Sequence, residues 1–275
     1  MTKRITWVLF SAFLVLSFGC SKDFSRSTKR TKAKISKFFE AGKPKPRVSY
    51  FVGMDISGSF MKTRYYDDSL NFLAHYIYAH LHGLGGAEVP NELFVGSIGG
   101  RKADEIKTFY PKQTFESKSV GQIRAKLQNI FSKARPNPFT DFNAYFAQVA
   151  QTIKTKNLIL RPIEVVMVSD GKPDLIKREG RVGYGSLDLS PLEGLARSVS
   201  VRLLYTDAVT GGNWKTKVPR RNIKLWTQDA KVMVYWRDPD ILIPGKPFHS
   251  QGKFFRWLRD NVDFGVKART ISRKS

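Results

Sequence analysis

Residues 48–59 read VSYFVGMDISGS, and this stretch decides the fold. Its first part is mostly aromatic and β-branched, which is typical of a short buried strand. The apolar pattern stops at Asp55, and Ser57 and Ser59 follow at alternate positions. An extended turn can direct this carboxylate and these two hydroxyls toward one point. Hard oxygen ligands of this kind suit Mg²⁺ or Mn²⁺ better than zinc.

Two distant segments place further oxygen ligands at the ends of predicted elements. Residues 164–169, EVVMVS, predict a second buried strand that runs directly into Asp170 and a Gly-Lys-Pro turn. Between the two strands, a Pro-Phe-Thr-Asp segment containing Thr140 opens a helical pattern. Ligands of open parallel sheets bind beyond the carboxyl ends of the strands. We therefore expect Asp170 and Thr140 at the same edge of the sheet as Asp55.

The order of these three loops resembles the von Willebrand factor type A (VWA) domain and its metal-ion-dependent adhesion site. The resemblance covers roughly residues 47–262, and the family's Asp-x-Ser-x-Ser loop is matched in full. It implies an α/β fold, a Rossmann-like, doubly wound, mostly parallel sheet flanked by helices in a single domain. It also implies a metal site formed by Asp55, Ser57, Ser59, Thr140 and Asp170.

By the same resemblance, the three hydroxyls of this site contact Mg²⁺ or Mn²⁺, and the two carboxylates act largely through water. One coordination position stays open, and an Asp or Glu side chain of a protein partner fills it. The resemblance therefore implies metal-dependent protein–protein interaction or adhesion.

Each motif on its own also has a local explanation. The Asp55 loop suits a strand-end turn in which Asp and Ser bond their own backbone. Asp-Gly is a common turn, and Thr140-Asp141 suits a helix N-terminus, with Asp141 either an outer neighbour of the metal or a helix cap. A phosphoryl-accepting role for Asp55 is disfavoured, because that chemistry normally needs a second carboxylate where Ser57 stands.

The N-terminus resembles a bacterial lipoprotein signal. Lys3 and Arg4 precede an apolar run that ends at Phe18 and is too short to span a bilayer. Cys20, the single cysteine of the chain, lies at the expected cleavage point and is the predicted lipid acceptor. The residues before it depart from the usual lipobox, so an uncleaved anchor or plain secretion is the alternative. We expect a membrane-anchored lipoprotein of the cell envelope, at the outer membrane or periplasmic face if the cell is Gram-negative.

Positive charge dominates the rest of the chain. Lys and Arg number 47 against 23 Asp and Glu, a net charge of +24, which falls to about +22 if the segment before Cys20 is removed with Lys3 and Arg4. Residues 21–46 form a predicted flexible basic tether, and residues 263–275 a basic tail. The tether is expected either to contact anionic lipid headgroups or another polyanion, or to act as a solvated spacer. Export argues against nucleic acid as a partner.

The remaining residues predict strands and helices that alternate around one core. Beyond the two strands described above, strands are expected over 92–98, 108–115, 200–205 and 232–236. Helices are expected over 68–82, 120–131, 141–153 and 252–262. The glycine-rich segment 178–190 is expected to lie beside the metal and to set partner specificity.

Histidine and tryptophan positions add two expectations. His75, His80 and His82 share the first long helix but lack the further ligands of a zinc site, so we expect surface histidines. Trp226, Trp236 and Trp257 are expected in the core. Trp214 is expected in a loop, either as an exposed contact or folded back onto the core.

Three functions remain open. The leading one is an envelope lipoprotein whose metal binds an acidic group on a protein partner. The second is a structural envelope protein whose tether and tail bind polyanions while the metal site is vestigial. The third is a hydrolase that uses the ion as a Lewis acid, with Asp141 or Asp174 as its base. The sequence contains no clear acid–base pair, activated nucleophile or nucleotide-binding loop, so we expect no enzyme activity.

Overall fold

The computed structural model describes residues 47–99, 105, 108–132, 138–173 and 183–264. The predicted signal segment with Cys20, the tether 21–46 and most of the tail lie outside the described residues, so these domain boundaries stay predictions. In the described part of the chain, no helix combines the length and the apolar character needed to cross a bilayer.

A six-stranded sheet forms the centre of the domain, and every strand is parallel to its neighbours except one at an edge. In spatial order the strands are β3 (Tyr110–Pro111), β2 (Glu92–Ile98), β1 (Ser49–Asp55), β4 (Pro162–Val168), β5 (Ser198–Thr206) and β6 (Ile223–Asp229). The short β3 is the antiparallel strand. This strand order with helices on both faces defines a doubly wound α/β sheet, which confirms the predicted fold class.

Helices cover both faces of this sheet. In chain order they are α1 (Gly58–Met61), α2 (Tyr65–Leu81), α3 (Val120–Ile130), α4 (Phe142–Thr155), α5 (Ala208–Lys217), α6 (Ala230–Met233) and α7 (Gly252–Asn261). Tyr50, Val52 and Met54 of β1 pack in the core formed with α2, α3 and α7. Phe51 packs in the opposite core with α4 and α5. Because both faces are buried, β1 is a continuous apolar run rather than an alternating one.

Two strand predictions were wrong. Residues 108–115 contain only the short β3, because Pro111 has no N–H for a ladder and a 3-10 turn follows at once. Residues 232–236 form the end of α6 and another 3-10 turn. A short apolar run does not distinguish a strand from a buried helical segment. The last strand is instead β6, whose edge position leaves it partly exposed and therefore less apolar in sequence.

The expectation of surface histidines on α2 holds only for His82, which is exposed. His80 is 2% exposed, with Nδ1 2.9 Å from the backbone oxygen of Glu88 and Nε2 3.1 Å from Oδ2 of Asp263. His75 is half-buried, and its ring centroid lies 5.0 Å from that of Trp236. Both flanks of α2 are covered by neighbouring elements, so the helical wheel alone does not identify its solvent face.

Buried charges fasten the chain after α7 to the sheet. Arg202 of β5 is 2% exposed, and its Nε lies 3.2 Å from Oε2 of Glu164 on β4. Its Nη1 donates to the backbone oxygens of Val262 at 2.6 Å and Phe264 at 3.0 Å. The carboxylate of Asp263, between these two carbonyls, reaches α2. These contacts hold the end of the described chain near the edge at which the parallel strands begin, which we call the amino-end edge.

His80 is expected to make the stability of the domain depend on pH. Burial lowers the pKa of His80, but the charge and hydrogen bond of Asp263 and the carbonyl of Glu88 outweigh burial and raise that pKa above its ordinary value. Because the folded pKa is the higher one, the stabilisation is complete below about pH 6.5 and is lost as the pH rises through the folded value. Denaturant unfolding over this range should show the resulting slope in wild type.

The matched variants are His80→Gln, in which this slope should become shallower, and His82→Gln, in which it should be unchanged; Asp55, whose pKa burial raises to about 7, contributes the remaining slope. Tyr50 and Tyr76 also face His80, but burial raises the pKa of both phenols, so they do not titrate in this range. If the free energy of unfolding changed with pH in the same way in wild type and in His80→Gln, the Asp263 contact would not stabilise the protonated imidazole.

Candidate metal site

The predicted site residues lie where the chain order reverses across the sheet. From β1 the chain passes to β2 and β3 on one side, and from β4 to β5 and β6 on the other. A doubly wound sheet opens a crevice at this point, beyond the carboxyl ends of its central strands. Asp55 ends β1 and Asp170 follows β4, so the two carboxylates flank the crevice. We call this side of the sheet the carboxyl-end edge.

Asp55 is completely buried, and both of its oxygens accept hydrogen bonds. Oδ1 accepts the backbone N–H of Ser57 at 2.8 Å, and Oδ2 accepts the hydroxyl of Ser169 at 2.5 Å. Burial raises the pKa of Asp55 to about 7, although the hydrogen bonds from Ser169 and Ser57 oppose this effect; the charge of Asp170 raises it further. The carboxylate thus orients two loops and leaves no oxygen without a partner.

The two serines of the first loop bring their hydroxyls together. The Oγ of Ser57, which is buried, lies 3.0 Å from the Oγ of Ser59, which is exposed. Ser57 also caps α1, because its Oγ accepts the N–H of Phe60 at 3.4 Å. The local turn explanation for this loop is therefore satisfied, and the same turn sets two hydroxyl oxygens side by side at the crevice.

Thr140 presents a fully buried hydroxyl that has no hydrogen-bond partner among the described residues. Its loop is pressed against the end of β2, where a Cβ added to Gly99 would lie 2.0 Å from the oxygen of Phe139. Because β2 pairs with β1, this contact places Thr140 at the same edge as the Asp55 loop. A buried hydroxyl without a partner costs about 1–3 kcal/mol, so a ligand at this position would relieve a penalty.

Trp214 of α5 supports the turn after β4. The indole N–H donates to the backbone oxygen of Gly171 at 2.7 Å. Gly171 has a φ of +75°, and a Cβ there would lie 3.0 Å or less from three side chains. Trp214 is fully buried on α5, so the predicted loop was wrong, whereas the expectation that the ring folds onto the core is confirmed. Asp170 is half-exposed above this turn.

Two supporting residues were not identified from the sequence. Ser169 donates to Asp55 and accepts the N–H of Gly171 at 2.9 Å, so its hydroxyl joins the loops after β1 and β4. Its position directly before Asp170 was the available signal. Gly99 permits the close approach of the Thr140 loop, and its place at the end of a predicted strand was the corresponding signal.

The alternative that Asp141 is a helix cap fits the structure, because its Oδ1 accepts the N–H of Ala144 at 2.9 Å at the start of α4. Asp174 and the first part of the glycine-rich segment 178–190 lie outside the described residues.

The donor set suits a hard cation held through hydroxyl oxygens. Among the residues that the structure describes, no group of three or more His, Cys, Asp or Glu side chains is arranged so that it could hold a metal ion. The hydroxyl oxygens at this edge belong to Ser57, Ser59 and Thr140, while the carboxylates of Asp55 and Asp170 accept hydrogen bonds within their own loops. The hydroxyl of Thr140 without a partner, together with the adjacent serine hydroxyls, fits an ion that prefers oxygen ligands.

No protein-family profile and no curated protein matches this chain. Among solved structures it is similar to the SpRpn10 VWA domain, with 10% identity, a TM-score of 0.38 and coverage of 70% of this chain and 95% of that one. It is also similar to the pilus adhesin SpaC from Lactobacillus rhamnosus GG in its open conformation, with 11% identity, a TM-score of 0.42 and coverage of 70% of this chain and 29% of that one. The human COPII-coat protein Sec24c matches with 11% identity, a TM-score of 0.43 and coverage of 72% of this chain and 32% of that one. This chain therefore spans less than a third of the length of SpaC and of Sec24c. These low scores carry no functional argument.

Proposed function

We propose that the domain binds Mg²⁺ or Mn²⁺ at the carboxyl-end edge and uses the ion to hold an Asp or Glu side chain of a protein partner. The observation that carries this proposal is Thr140, whose buried hydroxyl has no partner among the described residues. It lies at the same edge as the adjacent hydroxyls of Ser57 and Ser59. The result would be metal-dependent protein–protein interaction or adhesion.

The chemistry of the donor set favours a carboxylate as the partner group. Ser57, Ser59 and Thr140 would hold the ion with neutral hydroxyls, while Asp55 and Asp170 act largely through water. A divalent ion bound in this way supplies a positive centre that attracts an anionic oxygen. The net positive charge of the chain would also steer acidic partners toward it at low ionic strength.

In this proposal the chain is a membrane-anchored lipoprotein of the cell envelope, attached through Cys20. The support is the basic start, the short apolar run and the single cysteine at its end. The outer membrane or periplasmic face follows if the cell is Gram-negative. The tether 21–46 would separate the domain from its anchor.

Binding without catalysis remains part of this proposal. Metal-assisted hydrolysis needs a base beside the ion; of the two candidates, Oδ1 of Asp141 caps α4 and Asp174 lies outside the described residues. The structural alternative, polyanion binding with a vestigial metal site, predicts association that is sensitive to salt and independent of metal. A metal titration separates these two functions.

Thr140→Val is expected to abolish metal binding and to leave the fold intact. The substitution keeps the shape of the side chain and removes a hydroxyl that makes no hydrogen bond to a described residue. Without metal, its melting temperature should therefore equal or exceed that of wild type. Calorimetric titration of the detergent-solubilised full chain should show saturable Mg²⁺ or Mn²⁺ binding in wild type and none in the variant.

Ser49→Ala is the matched control, because Ser49 also carries a buried hydroxyl without a described partner, at the opposite end of β1. It should bind metal like wild type. Titration of acetate should then detect weak carboxylate binding only with the metal-loaded protein. Equal metal affinity in Thr140→Val and wild type would remove Thr140 from the site and end the proposal in this form.

A further inference from the structure

A row of arginines marks the amino-end edge of the sheet. Arg161 and Arg197 directly precede β4 and β5, and Arg47 and Arg221 stand two residues before β1 and β6. These four strands are consecutive neighbours in the sheet and run in one direction. Strand spacing places the row across about 15 Å. The fold therefore gathers four guanidinium groups that are far apart in the sequence.

These arginines are available to a partner. Arg47, Arg197 and Arg221 are exposed, Arg161 is partly exposed, and none forms an ion pair with another residue that the structure describes. The acidic side chains near this edge are Glu88, Glu92, Glu193 and Asp263; Asp263 is engaged by His80 and Tyr76, and Glu193 by the backbone N–H of Arg221. Lysines at the ends of α4 and α5 can be explained by the dipole of each helix. That explanation does not apply to residues that precede strands.

An apolar loop lies within the same row. Ile159 is 45% exposed and Leu160 is 71% exposed, directly before Arg161. Leu160 has a φ of +66°, a strained conformation for a leucine. Its N–H donates to the backbone oxygen of Leu195 at 2.9 Å, which fixes the loop beside the segment that leads into Arg197. The structure thus keeps a large apolar side chain in solvent at some conformational cost.

Both basic terminal segments join the domain at this edge. Residues 21–46 lead into Arg47, and the described chain ends at Phe264, where Asp263 contacts His80 beside Tyr50 near the start of β1. The final residues contain Lys267, Arg269, Arg273 and Lys274. Both basic segments are therefore covalently joined to the domain near the edge that carries the arginine row.

We infer that the amino-end edge is a docking surface for a membrane rich in anionic phospholipid headgroups. The arginines bind phosphates, and Ile159 and Leu160 insert among the headgroups; exposed apolar residues flanked by basic ones are the composition of interfacial membrane contacts. This orientation turns the carboxyl-end edge away from the lipid. The inference does not depend on the metal site and can fail or succeed separately from it.

The test is vesicle binding by residues 21–275, so that neither the apolar run 5–18 nor an acyl group on Cys20 contributes. Each basic residue near an anionic surface contributes about fivefold in affinity, so Arg47→Gln/Arg197→Gln/Arg221→Gln should weaken binding roughly 100-fold. The probe is phosphatidylcholine vesicles with and without phosphatidylglycerol. Only those with phosphatidylglycerol should bind, and added salt should weaken the binding.

The matched control removes the same charge from the opposite edge, as Lys62→Gln/Lys172→Gln/Lys231→Gln, at positions that follow β1, β4 and β6. It should retain most of the affinity. Equal loss in both triple variants would mean that net charge alone acts, and undiminished binding by the edge variant would also overturn the inference. Soluble polyphosphate is the second probe. If the edge variant lost affinity for polyphosphate but kept its affinity for phosphatidylglycerol vesicles, the arginines would bind a soluble polyanion and the membrane inference would be wrong.

Leu160→Asn separates the apolar contribution from folding. Asparagine tolerates a positive φ better than leucine, so this variant should melt about 2 °C higher than wild type. It should nevertheless bind phosphatidylglycerol vesicles less tightly, by roughly tenfold. A more stable protein with unchanged vesicle affinity would exclude insertion of this loop.

Discussion

Gly99→Ala is expected to lower the melting temperature by roughly 6–12 °C and to abolish metal binding. Gly99 is buried with a φ of +82°, and the added Cβ would lie 2.0 Å from the oxygen of Phe139. The left-handed backbone and the overlap together cost about 3 kcal/mol. The loop must move away to relieve the overlap, and Thr140 moves with it. Thermal unfolding without metal and Mg²⁺ titration measure these two effects separately.

Gly58→Ala is the matched control, because Gly58 lies between the two serines of the site and has open space around its Cα. It is the first residue of α1, so alanine should be neutral or slightly stabilising there and should leave metal binding intact. If Gly99→Ala melted and bound metal like wild type, the close approach between β2 and the Thr140 loop would be refuted.

Arg202→Met is expected to destabilise the domain by about 3–5 kcal/mol without changing metal affinity in the protein that remains folded. The substitution leaves Glu164 buried without its cation and removes the donor for the carbonyls of Val262 and Phe264. Burial already raises the pKa of Glu164 even with Arg202 beside it. The measurement is the free energy of unfolding in denaturant at neutral pH.

The double variant Glu164→Leu/Arg202→Met tests whether the buried charge is the cause. Replacing both members of a buried ion pair with apolar side chains is often close to neutral. The double variant should therefore recover much of the lost stability, although the two carbonyls stay without their donor. A double variant no more stable than Arg202→Met would show that the carbonyl contacts, rather than the ion pair, dominate.

The central strands and their loops were predictable because their signals are local. β1 and β4 are short, mostly apolar runs, with Asp55 at the end of β1 and Asp170 two residues after β4, and α2 has a clear helical period. Parallel strands then bring Asp55 and Asp170 to one edge by geometry alone. The edge elements were not predictable in this way. Burial on only part of the strand makes β6 less apolar, and Pro111 shortens β3.

The supporting contacts of the site depend on residues far apart in the chain. Ser169 and Asp55 are hydrogen-bonded although they lie 114 positions apart in the sequence, and no local sequence pattern predicts such a contact. The environment of His80 likewise depends on Asp263, which lies 183 positions later in the sequence, just after α7. Sequence periodicity identifies which face of an element is apolar, but it does not identify which later element covers the other face.

The position of β1 also determines how the domain bears mechanical load. β1 pairs with β2 over seven residues and with β4 over six, and it runs from the N-terminal attachment at Arg47 to Asp55 at the crevice. A pull between the anchor and a captured partner would therefore act along the axis of this strand. Hydrogen bonds on both flanks are then sheared together instead of opening one after another. Resistance to such a pull is governed by the unfolding rate under force, and it can be high even where equilibrium stability is modest.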